Sequence, residues 1–167
     1  MSFDKIDQPL ELLATTAVRG WMDYNGHMNV ASYVHLFDRA IDQFLNGVNL
    51  GQQWIEKGKG SVFALQNHIH YLREVSEGQD ITISLQMLDM DQKRLHLFLR
   101  MNDAKSGRMV AASELLSIYV DMNSRKSAAL PDQQYQALQN ILAAHKNLPK
   151  PRVAGHKIGT NAKLKLS

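Results

Sequence analysis

The stretch Asp23-Tyr24-Asn25-Gly26-His27-Met28-Asn29 packs a carboxylate, two amides and an imidazole around one glycine. Groups of these types take up a proton, orient water and hold a polar substrate. Tyr33, Leu36, Phe37, Ala40, Ile41, Phe44 and Leu45 follow at helical spacing. Asn29 is a good N-cap residue, and Gly47 stands where a C-cap glycine belongs. The spacing predicts a helix from Val30 to Asn46, about 25 Å long at the usual rise per residue. Its first turn offers unpaired amide hydrogens and partial positive charge, which suit an anion or a polarised carbonyl oxygen. A carboxylate in that field is favoured in its charged form. Asp23 is therefore the candidate nucleophile or general base. The competing role is structural, since aspartate often caps its own turn.

The neighbours have double readings as well. His27, at the tight bend after Gly26, either orients an attacking water or braces the turn. Asn29 caps the helix and also faces whatever binds there. Trp21 and Tyr24 flank Asp23; aromatic faces attract quaternary ammonium groups, and they equally suit core packing. His68-x-His70 places two imidazoles on one strand face, a spacing compatible with a metal. No third ligand accompanies them at suggestive spacing, so no metal site is expected. Glu74 reads as a solvated strand end.

The elements that must hold these residues follow from periodicity. Leu10 to Val18 reads as a first strand, Arg19 to Asn29 as the polar turn, and Asn49 to Lys57 as a short second helix ended by Gly58 and Gly60. Ser61 to Val75 alternates as a long strand, with Phe63, Leu65, Asn67, Ile69 and Tyr71 on one face. Val62, Ala64, Gln66, His68 and His70 fall on the other. Ile81 to Met87, Arg94 to Asn102 and Arg108 to Val120 are further strands with short polar connections. Such connections make antiparallel neighbours. A helix segregated from consecutive strands argues α+β, with one long helix lying on a curved antiparallel sheet. Asp132 to Lys146 is a last helix, carrying Tyr135, Leu138, Ile141 and Leu142 on its face.

The chain has 167 residues, 44% of them hydrophobic, which suits one domain with a sizeable core. That domain is expected over 1–148, with its core at about 10–121 and the last helix at about 131–147. Pro149 and Pro151 then end the folded part. No apolar run approaches the roughly 20 residues of a membrane span, and Met1 to Gln8 lacks the apolar block of a signal peptide. No membrane association is expected. The absence of cysteine excludes disulfides and thiolate catalysis and makes a cytoplasmic location the expectation. The net charge of +3 is unevenly spread. No acidic residue follows Asp132, while Lys146, Lys150, Arg152, Lys157, Lys163 and Lys165 all do. The other 13 basic residues face 16 acidic ones, so the body is acidic. Residues 149–167 read as a basic, flexible tail, and no nucleic-acid motif is present.

Asp23-x-x-Gly26-His27-Met28-Asn29, followed by Tyr33, Phe37-Asp38 and Ala40, resembles the hotdog-fold acyl-CoA thioesterases of the 4-hydroxybenzoyl-CoA thioesterase type. The likeness covers roughly Leu12 to Asp121. Within that family the chain is most similar to the group that accompanies, or is fused to, L-carnitine dehydrogenase and is associated with betainyl-CoA. Lys93 to Phe98, His68-Ile69 before Glu74-Val75, and Tyr119-Val120-Asp121 carry this narrower match. The resemblance implies a hotdog fold, an antiparallel sheet wrapped around one central helix, and hydrolysis of an acyl-CoA to a carboxylic acid and free CoA. It implies no cofactor, and a homodimer or tetramer with sites between protomers. Asp23 would be the catalytic base or nucleophile. His27, Asn29, Trp21, Tyr24 and His68 would bind substrate, His68 lining the acyl pocket across a dimer interface. Arg73, Lys93, Arg94 and Arg125 are cations suited to the phosphates of CoA.

Three positions depart from the family pattern. Trp21 stands where many members carry a second acid, Asn29-Val30 where many have Asn-Asn, and Asp38 where Glu is common. Two other readings remain. A hotdog hydratase would carry D-x-N-P-x-H, but His27 lies four positions after Asp23 and Gly26 replaces the proline. A non-catalytic acyl-CoA-binding module would keep the pocket and lose the base.

Overall fold

The computed structural model describes residues 3–160. In chain order the elements are β1 (Leu10–Thr16), α1 (Val30–Gly47), α2 (Gln52–Glu56), β2 (Gly60–Tyr71), β3 (Asp80–Met90), β4 (Arg94–Asp103), β5 (Met109–Asp121), β6 (Lys126–Ser127) and α3 (Asp132–His145). One 3-10 turn, Arg19–Trp21, separates β1 from the polar loop. The strands form one antiparallel sheet in the order β1-β3-β4-β5-β2, with the short β6 on β5. This is the expected α+β arrangement.

Helix α1 lies on the inner face of the sheet. Tyr33, Leu36, Phe37, Ala40, Phe44 and Leu45 are its buried stripe. They share one core with Ile81, Ile83, Leu85 and Met87 of β3, Leu95, Leu97, Leu99 and Met101 of β4, and Leu115 and Tyr119 of β5. The alternation of β3 and β4 thus reads correctly from the sequence. At about 25 cal/mol per Å² of apolar surface, this cluster is the main term holding helix to sheet.

Helix α1 ends differently from the expectation. Gly47 is its last residue, and the left-handed position falls two residues later on Asn49, at φ 58°. The Leu50 amide donates to the Leu45 carbonyl at 2.8 Å, the six-to-one bond of a Schellman cap, and asparagine tolerates the left-handed region better than most residues. Gly47 serves another purpose: a Cβ there would collide with the Phe3 ring.

Strand β2 also differs. A bulge between Ala64 and Gln66 interrupts its register against β5. Val62 and Ile69 both pack against the core as a result, although strict alternation put them on opposite faces. Residues 63–67 are exposed, and β2 forms one edge of the sheet.

Helix α3 closes the edge of β3 beyond the end of β1. The His145 Nδ1 accepts the Met87 amide at 2.9 Å, and its Nε2 donates to the Gln8 carbonyl at 3.0 Å. Burial holds this imidazole below its ordinary value.

The folded part continues past Pro149, where a flexible tail was expected. Pro151, Val153 and Ala154 are buried, the last two packing on Phe98 and Ala112 of the outer sheet face. The Gly155 amide donates to Glu114 Oε2 at 2.7 Å. Burial works against the ionised form of Glu114, but that amide and His96 outweigh it and leave the carboxyl below its ordinary value. Basic composition did not prevent folding here, because three apolar residues within Pro151 to Ala154 find an apolar patch. The residues from 161 onward lie outside those described.

Candidate active site

The polar stretch forms a short hairpin at the start of α1. The Asp23 amide donates to the His27 carbonyl at 2.9 Å, the Gly26 amide donates to the Asp23 carbonyl at 3.1 Å, and Met22 bridges Met28. Gly26 takes φ 81°, a conformation costly for any residue with a Cβ. The hairpin is anchored on two sides: Met28 donates to the Val75 carbonyl at 2.8 Å, and Asn29 to the Trp21 carbonyl at 2.8 Å.

Within this frame both readings of Asp23 are realised at once. Its Oδ1 accepts the Asn25 amide at 2.7 Å, an Asx turn. Among the described residues Oδ2 has only the long 3.5 Å approach of the Asn25 side chain, so one carboxylate oxygen is left for a substrate or water. Asn29 caps α1 as expected, accepting the Ala31 amide at 2.8 Å, while its carbonyl accepts from Ser32. Among the described residues no acceptor takes the Val30 amide, which stands at the positive end of the helix.

The remaining expected residues divide into two groups. Trp21 is half-buried against the core and fixes the hairpin through its carbonyl, which also accepts Ser32 Oγ at 3.2 Å. Tyr24, at the hairpin tip, is 97% exposed. His27 approaches Glu74, with Nε2 3.0 Å from Oε2. Glu74 is therefore more than the solvated strand end it resembled, although it remains largely exposed. Tyr33 braces the same region from α1: its hydroxyl donates to the Arg73 carbonyl at 3.4 Å, and burial pushes its pKa up to about 12.

His68 does not join Asp23. It lies on the outer face of the sheet, opposite α1, in a second cluster with His70, His96, Glu114 and His156. Of these, His68, His96, Glu114 and His156 line a pocket of about 160 Å³. The His96 Nε2 lies 2.8 Å from Glu114 Oε1, and the His70 ring lies tilted at 4.3 Å from His68 and edge-on at 6.0 Å from His156. His70 is 3% exposed, and its Nε2 has no partner among the described residues. Burial, with the neighbouring imidazoles, pushes its pKa down. No set of three ligands that could hold a metal occurs among the described residues. Sequence reasoning missed this cluster and the His27–Glu74 contact. The first was accessible from strand parity, since His68, His96 and Glu114 all fall on outward positions of their strands. The second joins residues 47 positions apart through a loop that carries no periodic signal.

Other clefts lie away from the hairpin. One of about 340 Å³ separates the N-terminal segment from α3, and another of about 580 Å³ runs along α2. Neither is lined by Asp23.

Residues 18–138 match the family model of the thioesterase-like superfamily. The betainyl-CoA thioesterase of Pseudomonas aeruginosa is 31% identical, over 92% of this chain and 97% of that one. A Rhizobium meliloti protein, L-carnitine dehydrogenase/betainyl-CoA thioesterase, is 35% identical over 90% of this chain, which spans only 30% of its length. Among solved structures, a Staphylococcus aureus protein in complex with CoA superposes with a TM-score of 0.84 at 27% identity, covering 90% of this chain and 96% of that one.

Proposed function

Because this chain belongs to the thioesterase-like superfamily and has the hotdog fold, we propose that it is an acyl-CoA thioesterase with Asp23 at the reacting centre. The observation that carries the reading is the Asp23 carboxylate, held on a rigid hairpin with one oxygen largely free, beside the first turn of α1. In the general-base form, Asp23 Oδ2 takes a proton from water and the hydroxide adds to the thioester carbonyl carbon. The oxyanion that forms is held by the Val30 amide. The carbonyl re-forms, the C–S bond breaks, and the CoA thiolate leaves and takes up the proton. In the nucleophilic form the carboxylate itself adds, the thiolate leaves, and water then cleaves the mixed anhydride. Single-turnover hydrolysis in labelled water separates the two, since only the anhydride route can exchange an Asp23 oxygen.

The acyl group we assign is the cationic betainyl group. Support comes from the two relatives named for that thioester and from the aromatic faces of Trp21 and Tyr24 beside the base. His27 and Asn29 complete the substrate contacts. His68 lies on the outer face of its own sheet, so its proposed contact with the acyl group would come from the second copy. Tyr24 is 97% exposed and Asp23 is only partly covered by the described residues, and β2 presents a sheet edge with Phe63 and Leu65 exposed. A second copy pairing along that edge would complete the cover, so the proposed active unit is a homodimer.

A thiol-release assay across betainyl, short linear, long linear and aryl acyl-CoAs tests the reading. Asp23→Asn is expected to lower kcat by about a thousandfold while leaving the circular dichroism spectrum unchanged. A variant that keeps the wild-type rate removes Asp23 from the mechanism. Hydration of an enoyl-CoA, or tight acyl-CoA binding without thiol release, would replace the proposal with the hydratase or the binding-module reading.

A further inference from the structure

His27 and Asp23 face each other across the hairpin, joined by the bond from the Asp23 amide to the His27 carbonyl. The backbone thus sets the two residues opposite each other and does not by itself fix the His27 ring. Glu74 supplies the missing constraint. Its Oε2 lies 3.0 Å from His27 Nε2, and its own segment is firmly held. Val75 is fully buried, and its carbonyl accepts the Met28 amide. The Leu72 and Arg73 amides both donate to the Val110 carbonyl, at 2.9 and 3.0 Å, and Arg73 Nη1 donates to the Met109 carbonyl at 2.8 Å. The carboxylate therefore projects from a fixed platform onto a fixed hairpin.

An ionised carboxylate only accepts hydrogen bonds, so the imidazole nitrogen facing it carries the hydrogen. In the neutral ring, Nδ1 is then the acceptor. The nitrogen that faces a partner thus decides what the other one offers to water or substrate. We infer that Glu74 is a positioning residue: it sets the orientation and tautomer of His27, so that Nδ1 accepts a hydrogen bond from water or substrate beside Asp23. This rests on the thioesterase reading for its consequence in catalysis, but not for the ring geometry itself. Tyr33 from α1 interacts electrostatically with Glu74, Arg73 adjoins Glu74 in the chain, and Asp23 shares the hairpin of His27. The bland alternative is an exposed ion pair of little energetic weight, because Glu74 is 71% exposed.

The two are separable in the full-length chain with Glu74→Ala and Glu74→Gln. Thiol release gives kcat and KM, and the imidazole nitrogen chemical shifts of His27 at about pH 8, where a free histidine is neutral, give the tautomer. Glu74→Ala is expected to lower kcat by about tenfold with KM little changed, and to replace a single Nε2–H form by a mixture. Glu74→Gln, whose amide oxygen still accepts from Nε2–H, is expected to restore the single tautomer and most of kcat. Unchanged kcat and tautomer in Glu74→Ala would overturn the inference. So would a loss confined to KM for cationic acyl-CoAs, which would make Glu74 a substrate-charge contact. A wild-type chain that releases no thiol would sink the thioesterase reading alone, since the ring spectra still decide what Glu74 does.

Discussion

Asn29 joins two elements: its backbone amide closes the hairpin that carries Asp23 onto the Trp21 carbonyl, and its side chain starts helix α1. Its Oδ1 takes the Ala31 amide, so Asn29→Ala removes a cap worth about 1 kcal/mol. The melting temperature should drop by about 3 °C for a chain of this size, measured by differential scanning calorimetry. Asn29→Asp, which keeps the cap, should recover it. This cap, the turn at Gly26 and the Asp23 carboxylate were legible in the sequence because each bonds to residues within a few positions of itself. The partner of His27 was not, because Glu74 arrives through the irregular segment after β2. Nor was the exchange of roles between Gly47 and Asn49. A glycine after the last apolar residue signals a helix end, yet here the space it leaves is taken by Phe3, a contact from the far end of the chain.

Among the elements, β2 carries the most consequence. Two-residue periodicity located it, but the bulge between Ala64 and Gln66 has no composition cue, and it turns the face assignment over midway. β3 and β4 were read correctly on their inward faces because their inner positions are an unbroken Leu, Ile and Met series. The bulge leaves Leu65 54% exposed on the open edge. Edge strands are commonly protected from pairing by a lysine. Leu65→Lys should therefore convert the proposed dimer to a monomer in size-exclusion chromatography with light scattering. Acyl-CoA hydrolysis should fall with it, while the far-ultraviolet spectrum of the chain stays the same. A fully active monomer would show that the site needs no second copy.

For the molecule as a whole, the two faces of the sheet have different chemistry. The inner face is apolar and holds α1; the outer face gathers His68, His70, His96 and His156 about Glu114. Burial depresses the pKa of His70, whereas in the unfolded chain this residue takes a proton near 6.5. Below that value the unfolded state binds more protons than the native one, so the associated stability is complete above about pH 6.5 and is lost as the pH falls through the lower native value. Thermal melts from about pH 7 to 5 should accordingly fall more steeply for the wild type than for His70→Gln. Equal slopes would mean that His70 is readily protonated in the native state. The same outer face is where Pro151 to Gly155 cross the sheet, with Val153 and Ala154 on Phe98 and Ala112. That crossing bears on stoichiometry. Two such sheets cannot stack back to back through this patch until the chain's own terminal segment has been lifted away, so any assembly larger than a pair must either grow through another surface or begin by peeling that segment off.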